Sequence, residues 1–216
     1  MTPLHVVANV RGAIMASSAH LMFDALLASA VATRDGIPPE PIVDIDIPIS
    51  RSECGRVRLC SAGQSVDEDH QLRYLNRRFP VPEAQLLATS KLNRINLTGG
   101  PSRSCRIPQD TTHLVNDQIH WWAIGDAAQV EALLVGWVGY LGRKRSVGLG
   151  RVVHWHVEGC EPWGDGFPVV RDGQPMRPLP TDWHGLAPDV ERAFRVLAAP
   201  YWRRSEEQEC AVPSWT

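Results

Sequence analysis

The residues whose types and spacing most clearly suit ligand binding lie in one stretch, Gly139–Arg151. It holds four glycines, four permanent cations and no acidic residue. Glycine adopts positive φ readily and lets the backbone approach a ligand closely. Adjacent cations repel one another unless an anion neutralises them. The stretch is therefore predicted to be a phosphate-binding loop. The residues expected to contact the phosphates are Gly139, Gly142, Arg143, Lys144, Arg145, Ser146, Gly148, Gly150 and Arg151.

The order of the flanking elements decides which kind of phosphate suits this loop. A helical pattern, residues 127–138, precedes it, and an alternating strand pattern, residues 151–158, follows it. Nucleotide-binding glycine loops of the Walker and Rossmann types instead follow a strand and open a helix. A sugar–phosphate backbone, bound through main-chain N–H groups and the four cations, is the remaining reading.

Four segments are predicted to position the loop. Strands are expected at 4–15, 117–124 and 151–158, because apolar and polar residues alternate there. A buried helix is expected at 20–33, which is apolar on nearly every side apart from Asp24. That single carboxylate needs a partner, because burying it alone is costly. The order β-α-β(β)-insertion-β-α-β predicts an α+β fold with a ferredoxin-like core and an antiparallel sheet, similar to an RNA-recognition motif.

The second strand of this core is expected at 42–49. The segment 56–60 is expected to pair with it as a hairpin through the turn at 50–55. The segment 61–110 is interpreted as a basic insertion that begins with a polar helix at 67–79. It is rich in cations and in small polar residues, so we expect it to project from the core and bind RNA. The residues proposed for this role are Arg77, Arg78, Lys91, Asn93, Arg94 and Arg103.

Residues 160–216 are predicted to form a C-terminal satellite of the core, which spans 1–159. A hairpin is expected around Asp172-Gly173, since this dipeptide favours a tight turn. A helix is expected at 188–197, with Pro188 in its first turn.

Strand parity places several histidines on one face of the predicted sheet. His5, His120, His154, His156 and Trp122 fall on the polar side of their strands. This face is either a platform on which bases stack, a weaker candidate metal site built from His120, His154 and His156, or a polar surface covered by the tail. Trp121, Trp137 and Trp155 are assigned to the core.

Composition indicates a soluble, folded chain of 216 residues with 44% hydrophobic and 21% charged residues. Its formal net charge is −2, so nucleic-acid contacts must come from locally clustered cations. Five cysteines without C-x-x-C spacing favour reduced thiols in a cytoplasm. We expect no signal peptide, no membrane contact, no structural metal and no cofactor.

The chain resembles the RAMP proteins of CRISPR effector complexes, in particular the Cas-five-like subunit of type IV systems. The glycine-rich loop carries most of this resemblance. Weaker similarities lie in the helix His20–Ala28 and in two tail segments, Arg171–Pro180 and Ala199–Arg203.

The resemblance implies a non-catalytic RNA-binding subunit that caps the 5′ handle of a CRISPR RNA in antiviral defence. Its partners would be that RNA, the backbone and large subunits, and target DNA indirectly, with the insertion folding over RNA like a thumb. The alternative is a metal-independent endoribonuclease that processes CRISPR RNA, with His20 as general acid or base. The resemblance assigns processing to a separate subunit, which argues against catalysis here.

Overall fold

The computed structural model describes residues 1–15, 21–38, 44–65, 67–77, 81–87, 96, 98 and 105–214. The chain divides into two compact units. The first comprises Met1–Asp69 and Thr112–Thr216, and the second comprises His70–Thr111. The division predicted at residue 159 and the limits predicted for the insertion stay predictions.

The fold is mixed α+β with antiparallel sheets. Its helices are α1 (Phe23–Asp35), α2 (Val81–Leu87) and α3 (Ala127–Trp137). Its strands are β1 (Thr2–Arg11), β2 (Asp67–Arg77), β3 (Cys105–Leu114), β4 (Gln118–Gly125), β5 (Arg151–Gly159), β6 (Val170–Arg171), β7 (Gln174–Pro175), β8 (Leu179–Pro180), β9 (Arg192–Arg195) and β10 (Gln208–Ala211). No helix among the described residues is long and apolar enough to cross a membrane.

The central sheet of the first unit has the strand order β4-β1-β5, and both neighbours run antiparallel to β1. The predicted strands and the two helices that flank them are confirmed. On one face, Leu4, Val6, Ala8 and Val10 are each at most 2% exposed, because alternate side chains of a strand point the same way. Helices α1 and α3 contribute to the same core cluster.

Aromatic rings join the helices to this sheet. Phe23 of α1 lies 5.8 Å from Trp121 between ring centroids, and Trp121 lies 5.8 Å from Trp155. Burying side chains of this kind contributes about 1.5–3 kcal/mol each. Trp121 and Trp155 are core residues, as predicted, but Trp137 is 46% exposed. The prediction that Trp137 belongs to the core is therefore wrong. Trp137 is the last residue of α3, and no following helical turn covers its side chain.

The predicted hairpin between 42–49 and 56–60 is wrong in its described part, although residues 42 and 43 lie outside the description. The pairing is shifted into the predicted turn: it joins 50–52 to 57–59 through the bridge Arg51↔Arg58, and the N–H groups of Leu59 and Ser52 donate to Ser50 O and Val57 O, each at 2.8 Å. Both arms also pair with β4: the Ser50 N–H donates to Ile124 O at 2.8 Å, and the Ile124 N–H donates to Leu59 O at 2.9 Å. Further bridges join Cys60 and Gln64 to β4, so residues 49–64 form an irregular fourth edge.

The second unit contains most of the two-stranded sheet β2–β3, so the helix predicted at 67–79 is wrong. Cross-strand contacts override the helical propensity of this polar segment. The Arg106 guanidinium lies 4.5 Å from the centroid of the Tyr74 ring. The Thr111 hydroxyl donates to the carbonyl oxygen of Gln71 at 2.9 Å.

In the tail, 160–214, the predicted hairpin is confirmed, but the predicted helix is not formed. Strands β6 and β7 pair through Asp172 and Gly173, whose φ angles are 51° and 78°. Two positive φ angles are what a type I′ turn requires. The helix predicted at 188–197 is wrong, because Arg192–Arg195 pairs with β10. That pairing brings Leu197 into one cluster with Cys210 and Val212.

A buried ion pair links the tail to α1. An Arg177 Nη lies 3.1 Å from an Asp24 carboxylate oxygen, and the two side chains are 0% and 2% exposed. The Tyr201 hydroxyl donates to the same carboxylate at 2.7 Å. Asp24 therefore has the partners that its burial demands. Burial opposes the charge on Arg177, yet the Asp24 carboxylate raises the pKa of that guanidinium above its usual value.

Candidate functional site

The glycine-rich loop is held at both ends by main-chain hydrogen bonds. The N–H of Leu141 donates to Gly150 O at 2.7 Å, and the N–H of Arg143 donates to Met15 O at 2.7 Å. Gly150 N–H donates to Ala13 O at 3.1 Å. Leu141 is fully buried in the core cluster. The loop therefore starts and ends at fixed positions beside the segment that follows β1.

Two of the four glycines are required by this anchoring. A Cβ at Gly150 would lie 2.0 Å from Leu141 O, and one at Gly142 would lie 2.5 Å from Met15 O. Their φ angles are 66° and 74°, which also favour glycine. A Cβ at Gly139 or Gly148 would meet nothing within 4 Å, although the φ of Gly148 is 86°. The loop glycines thus first serve close backbone packing.

The tip of the loop presents positive charge to solvent. Arg143, Lys144, Arg145 and Ser146 are all exposed, and Lys144 adopts a left-handed conformation before a 3₁₀ turn at Arg145–Val147. Within the described part of the chain, no acidic side chain forms an ion pair with the loop cations, including Arg151.

Three successive N–H groups at the tip also lack acceptors. Among the residues that the structure describes, no oxygen accepts from the N–H of Lys144, Arg145 or Ser146. Successive free N–H groups in a turn form a concavity that binds anions. The tip therefore combines exposed positive charges with main-chain hydrogen-bond donors, which is the chemistry that a phosphate requires.

A groove of about 760 Å³ lies beside this loop, with Arg143 in its wall. Its floor includes Ala25, Ala28 and Ala32 of α1, and its rim includes Trp202, which is 63% exposed. The other arginines that line it are already paired. Arg51 and Arg58 face Asp44, and Arg56 lies 3.2 Å from Asp182. Among the described residues of the groove, Arg143 is thus the arginine without a carboxylate partner.

Several predicted RNA-binding residues cannot be placed against this loop. Arg78, Lys91, Asn93, Arg94 and Arg103 lie outside the described residues, as does His20. Arg77 ends β2, but its side chain is also outside the description. Their roles stay predictions. The structure brings together Gly139–Arg151 alone from the predicted set.

The opposite face of the central sheet carries the predicted cluster of histidines. His5 pairs with Trp122 on β4 and with Glu158 on β5, so these three residues form one cross-strand row. His120 and His156 stand opposite Val7 in the next such row. No group of three or more potential metal ligands is arranged to hold an ion within the described part of the chain.

Hydrogen bonds shift the ionisation of this face. His156 and His5 both contact Glu158, at 3.1 and 3.2 Å, and these contacts lower the pKa of the carboxyl group. Burial, helped by the charge of His5, lowers the pKa of His120 below its usual value. His120 is therefore a neutral ring at physiological pH, and Glu158 is ionised.

A family model describes residues 64–213, which include the loop, β4, α3, β5 and the tail. The chain belongs to the CRISPR type IV associated protein Csf3 family. It is thus a subunit associated with a type IV CRISPR system. No curated protein matches the sequence. The match excludes residues 1–63, although Ala13 and Met15 accept hydrogen bonds from the loop and residues of α1 line the groove.

Two features of this region escaped sequence reasoning. Trp202 and Arg143 line the same groove, although 59 positions of sequence separate them. Trp163 lies against Trp122 with ring centroids 5.6 Å apart. Both tryptophans stand in irregular tail segments, where no periodicity indicates the direction of a side chain. Their only sequence signal was an aromatic residue close to glycine or proline.

Proposed function

We propose that this chain is a non-catalytic RNA-binding subunit of a type IV CRISPR ribonucleoprotein that caps the 5′ handle of the CRISPR RNA. The observation that carries the proposal is the loop tip of a Csf3-family chain. Among the described residues, no carboxylate pairs with Arg143, Lys144 or Arg145 there, and they lie beside successive N–H groups without described acceptors. Such a tip binds a sugar–phosphate backbone without reading its sequence. The backbone and large subunits of the complex are its proposed protein partners, and target DNA is contacted only indirectly.

The topology of the first unit supports assignment to the Cas-five-like RAMP proteins. A ferredoxin-like sheet places its first strand between the third and the fourth, with two helices on one face. Here β1 lies between β4 and β5, and α1 and α3 share the core on one side. The irregular edge at 49–64 occupies the position of the remaining strand, beside β4. The loop then joins the second core helix to the last core strand, where a RAMP loop is expected.

The chemistry of the loop supports binding without cleavage. Arg143, Lys144 and Arg145 are hydrogen-bond donors that stabilise anions, whereas general acid–base catalysis most often employs a histidine. The endoribonuclease alternative depends on His20, which lies outside the described residues. We therefore propose that processing of CRISPR RNA is not an activity of this chain.

The salt dependence of RNA binding tests the proposal. Each phosphate contact to a single strand adds about 0.7 to the slope of log affinity against log salt. Replacing Arg143, Lys144 and Arg145 together with Ala should reduce that slope by about 2 and weaken binding at low salt. The measurement is fluorescence anisotropy of a labelled handle RNA with the full chain over a salt series.

A charge-matched control removes three other exposed arginines, Arg192, Arg195 and Arg204, and leaves the loop intact. Both variants lower the formal net charge from −2 to −5. An equal loss of slope in both variants would contradict a specific phosphate grip. The same reactions, run in EDTA and resolved on a denaturing gel, should show intact RNA. Defined cleavage products that disappear in His20→Ala would instead establish the nuclease.

A further inference from the structure

We propose that the sheet face opposite the helices is a second site, which binds unpaired nucleobases of single-stranded nucleic acid. We call this site the ring platform and define it as His5, His120, Trp122, Trp163 and Arg171. It is independent of the glycine-rich loop, which binds phosphates. The ring platform would give the chain contact with bases, which the loop by itself lacks.

The first observation is that three side chains of the platform are nearly parallel. The His5 Nε2 and His120 Nδ1 atoms are hydrogen-bonded at 3.1 Å, and the two ring planes differ by 6°. A hydrogen bond between ring nitrogens lies in the plane of each ring, so these imidazoles meet edge to edge and form one flat surface. The Trp122 ring is inclined by only 14° to His5 and by 20° to His120.

A network of hydrogen bonds fixes this surface before any ligand arrives. The second nitrogen of His5 contacts Glu158 at 3.2 Å, and Glu158 also contacts His156 at 3.1 Å. Held rings lose little rotational freedom when a base stacks on them, which favours binding. The surface is also accessible, because the His5 side chain is 22% exposed and His120 and Trp122 are only partly buried.

The tail adds an aromatic edge and a cation. The Trp163 ring meets Trp122 edge to face, with centroids 5.6 Å apart and an angle of 75°. Its Nε1–H donates to Val170 O at 2.7 Å, which holds the ring in place. The Arg171 guanidinium lies 5.2 Å from the centroid of Trp163. Its contact with Asp172 is 4.0 Å long and exposed, so Arg171 stays able to bind a phosphate beside a stacked base.

The charge of the face favours bases over other ligands. On β4 and β5, the residues opposite His5–Asn9 include one permanently charged side chain, Glu158. A bare phosphate is therefore repelled from the centre of the platform. An apolar protein surface would leave Glu158 and the histidines without water, which is costly. A neutral, flat nucleobase stacks on the rings and leaves the edges of this face hydrated.

A cycle that pairs a protein change with a missing base tests the proposal directly. The ligand is a short single-stranded RNA in which each position in turn is made abasic. With the wild-type full chain, at least one abasic position should weaken binding by about 5- to 100-fold. With Trp122→Leu, the intact RNA should bind as weakly as that abasic RNA, and the abasic change should have no further effect. Trp122→Phe should retain most of the base dependence.

Three controls keep the result interpretable. Trp137→Leu removes an exposed tryptophan from α3 and should preserve the base dependence. Thermal unfolding verifies that Trp122→Leu folds, and His120→Ala provides a second disruption of the platform. The loop variant with Ala at 143–145 should lower the salt slope yet retain the abasic effect. Failure of the loop and failure of the platform are thereby distinguished.

Two results would overturn the proposal. One is a wild-type affinity that no abasic position changes. The other is an abasic effect that both Trp122→Leu and His120→Ala retain in full. That result would overturn the proposal even if the two variants were impaired in assembly with protein subunits. Repeating the series with DNA identifies the source of the bases. Equal losses on DNA and RNA indicate recognition of bases alone, and a larger loss on RNA indicates an added contact to the 2′-hydroxyl.

Discussion

The buried cluster of Asp24, Arg177 and Tyr201 predicts a large and specific loss of stability. Arg177→Met removes the guanidinium that contacts Asp24 at 3.1 Å, Leu197 O at 2.8 Å and Arg58 O at 2.9 Å. The Asp24 carboxylate would then be buried with only the Tyr201 hydroxyl as a side-chain partner among the described residues. Breaking a buried pair from one side costs about 3–5 kcal/mol of unfolding free energy.

This cost converts into a measurable melting shift. In a chain of this length, 1 kcal/mol corresponds to about 2–4 °C in Tm, so Arg177→Met should melt about 6–20 °C lower. The double variant Asp24→Leu with Arg177→Met removes both charges. It should be more stable than either single variant, because no uncompensated charge is left in the core. Thermal unfolding followed by tryptophan fluorescence measures all three.

An exposed ion pair provides the control. Arg56 contacts Asp182 at 3.2 Å, but the two side chains are 47% and 69% exposed. Arg56→Met should therefore cost less than about 1 kcal/mol. Equal Tm shifts in Arg177→Met and Arg56→Met would refute a special cost for the buried pair. A Tm loss in the double variant that equals the sum of the losses in its two single variants would refute it as well.

Two further predictions concern the loop and the thiols. Gly150→Ala should lower both Tm and RNA affinity, because its Cβ would meet a carbonyl oxygen at 2.0 Å. Gly136→Ala, in α3 with open space around the added Cβ, should lower neither. Hydrogen bonding from Ser52 lowers the pKa of exposed Cys54 to about 7, whereas burial raises that of Cys60 to about 12. Alkylation mapped by mass spectrometry at neutral pH should label Cys54 first and spare Cys60, and Ser52→Ala should slow the labelling. Equal rates at the two thiols would contradict this assignment.

Local pattern was sufficient for the core elements. Apolar and polar residues alternate in β1, β4 and β5, whereas α1 and α3 are long apolar runs. The residues of each element are therefore enough to predict whether it is a strand or a helix. The composition of the loop likewise predicted phosphate binding, which stays a prediction. The need of Asp24 for a partner followed from its solitary charge, although Arg177, its partner, is 153 positions away.

Tertiary contact decided everything that depended on a distant partner. Two segments, Asp67–Arg77 and Arg192–Arg195, are strands because other strands supply their hydrogen-bond partners. Their own residue patterns do not predict a strand. The sequence by itself determined the parity of the histidines, since side chains alternate along any strand. Register alone brought His5 beside His120 and Trp122, because a shift of one residue would point each side chain to the other face.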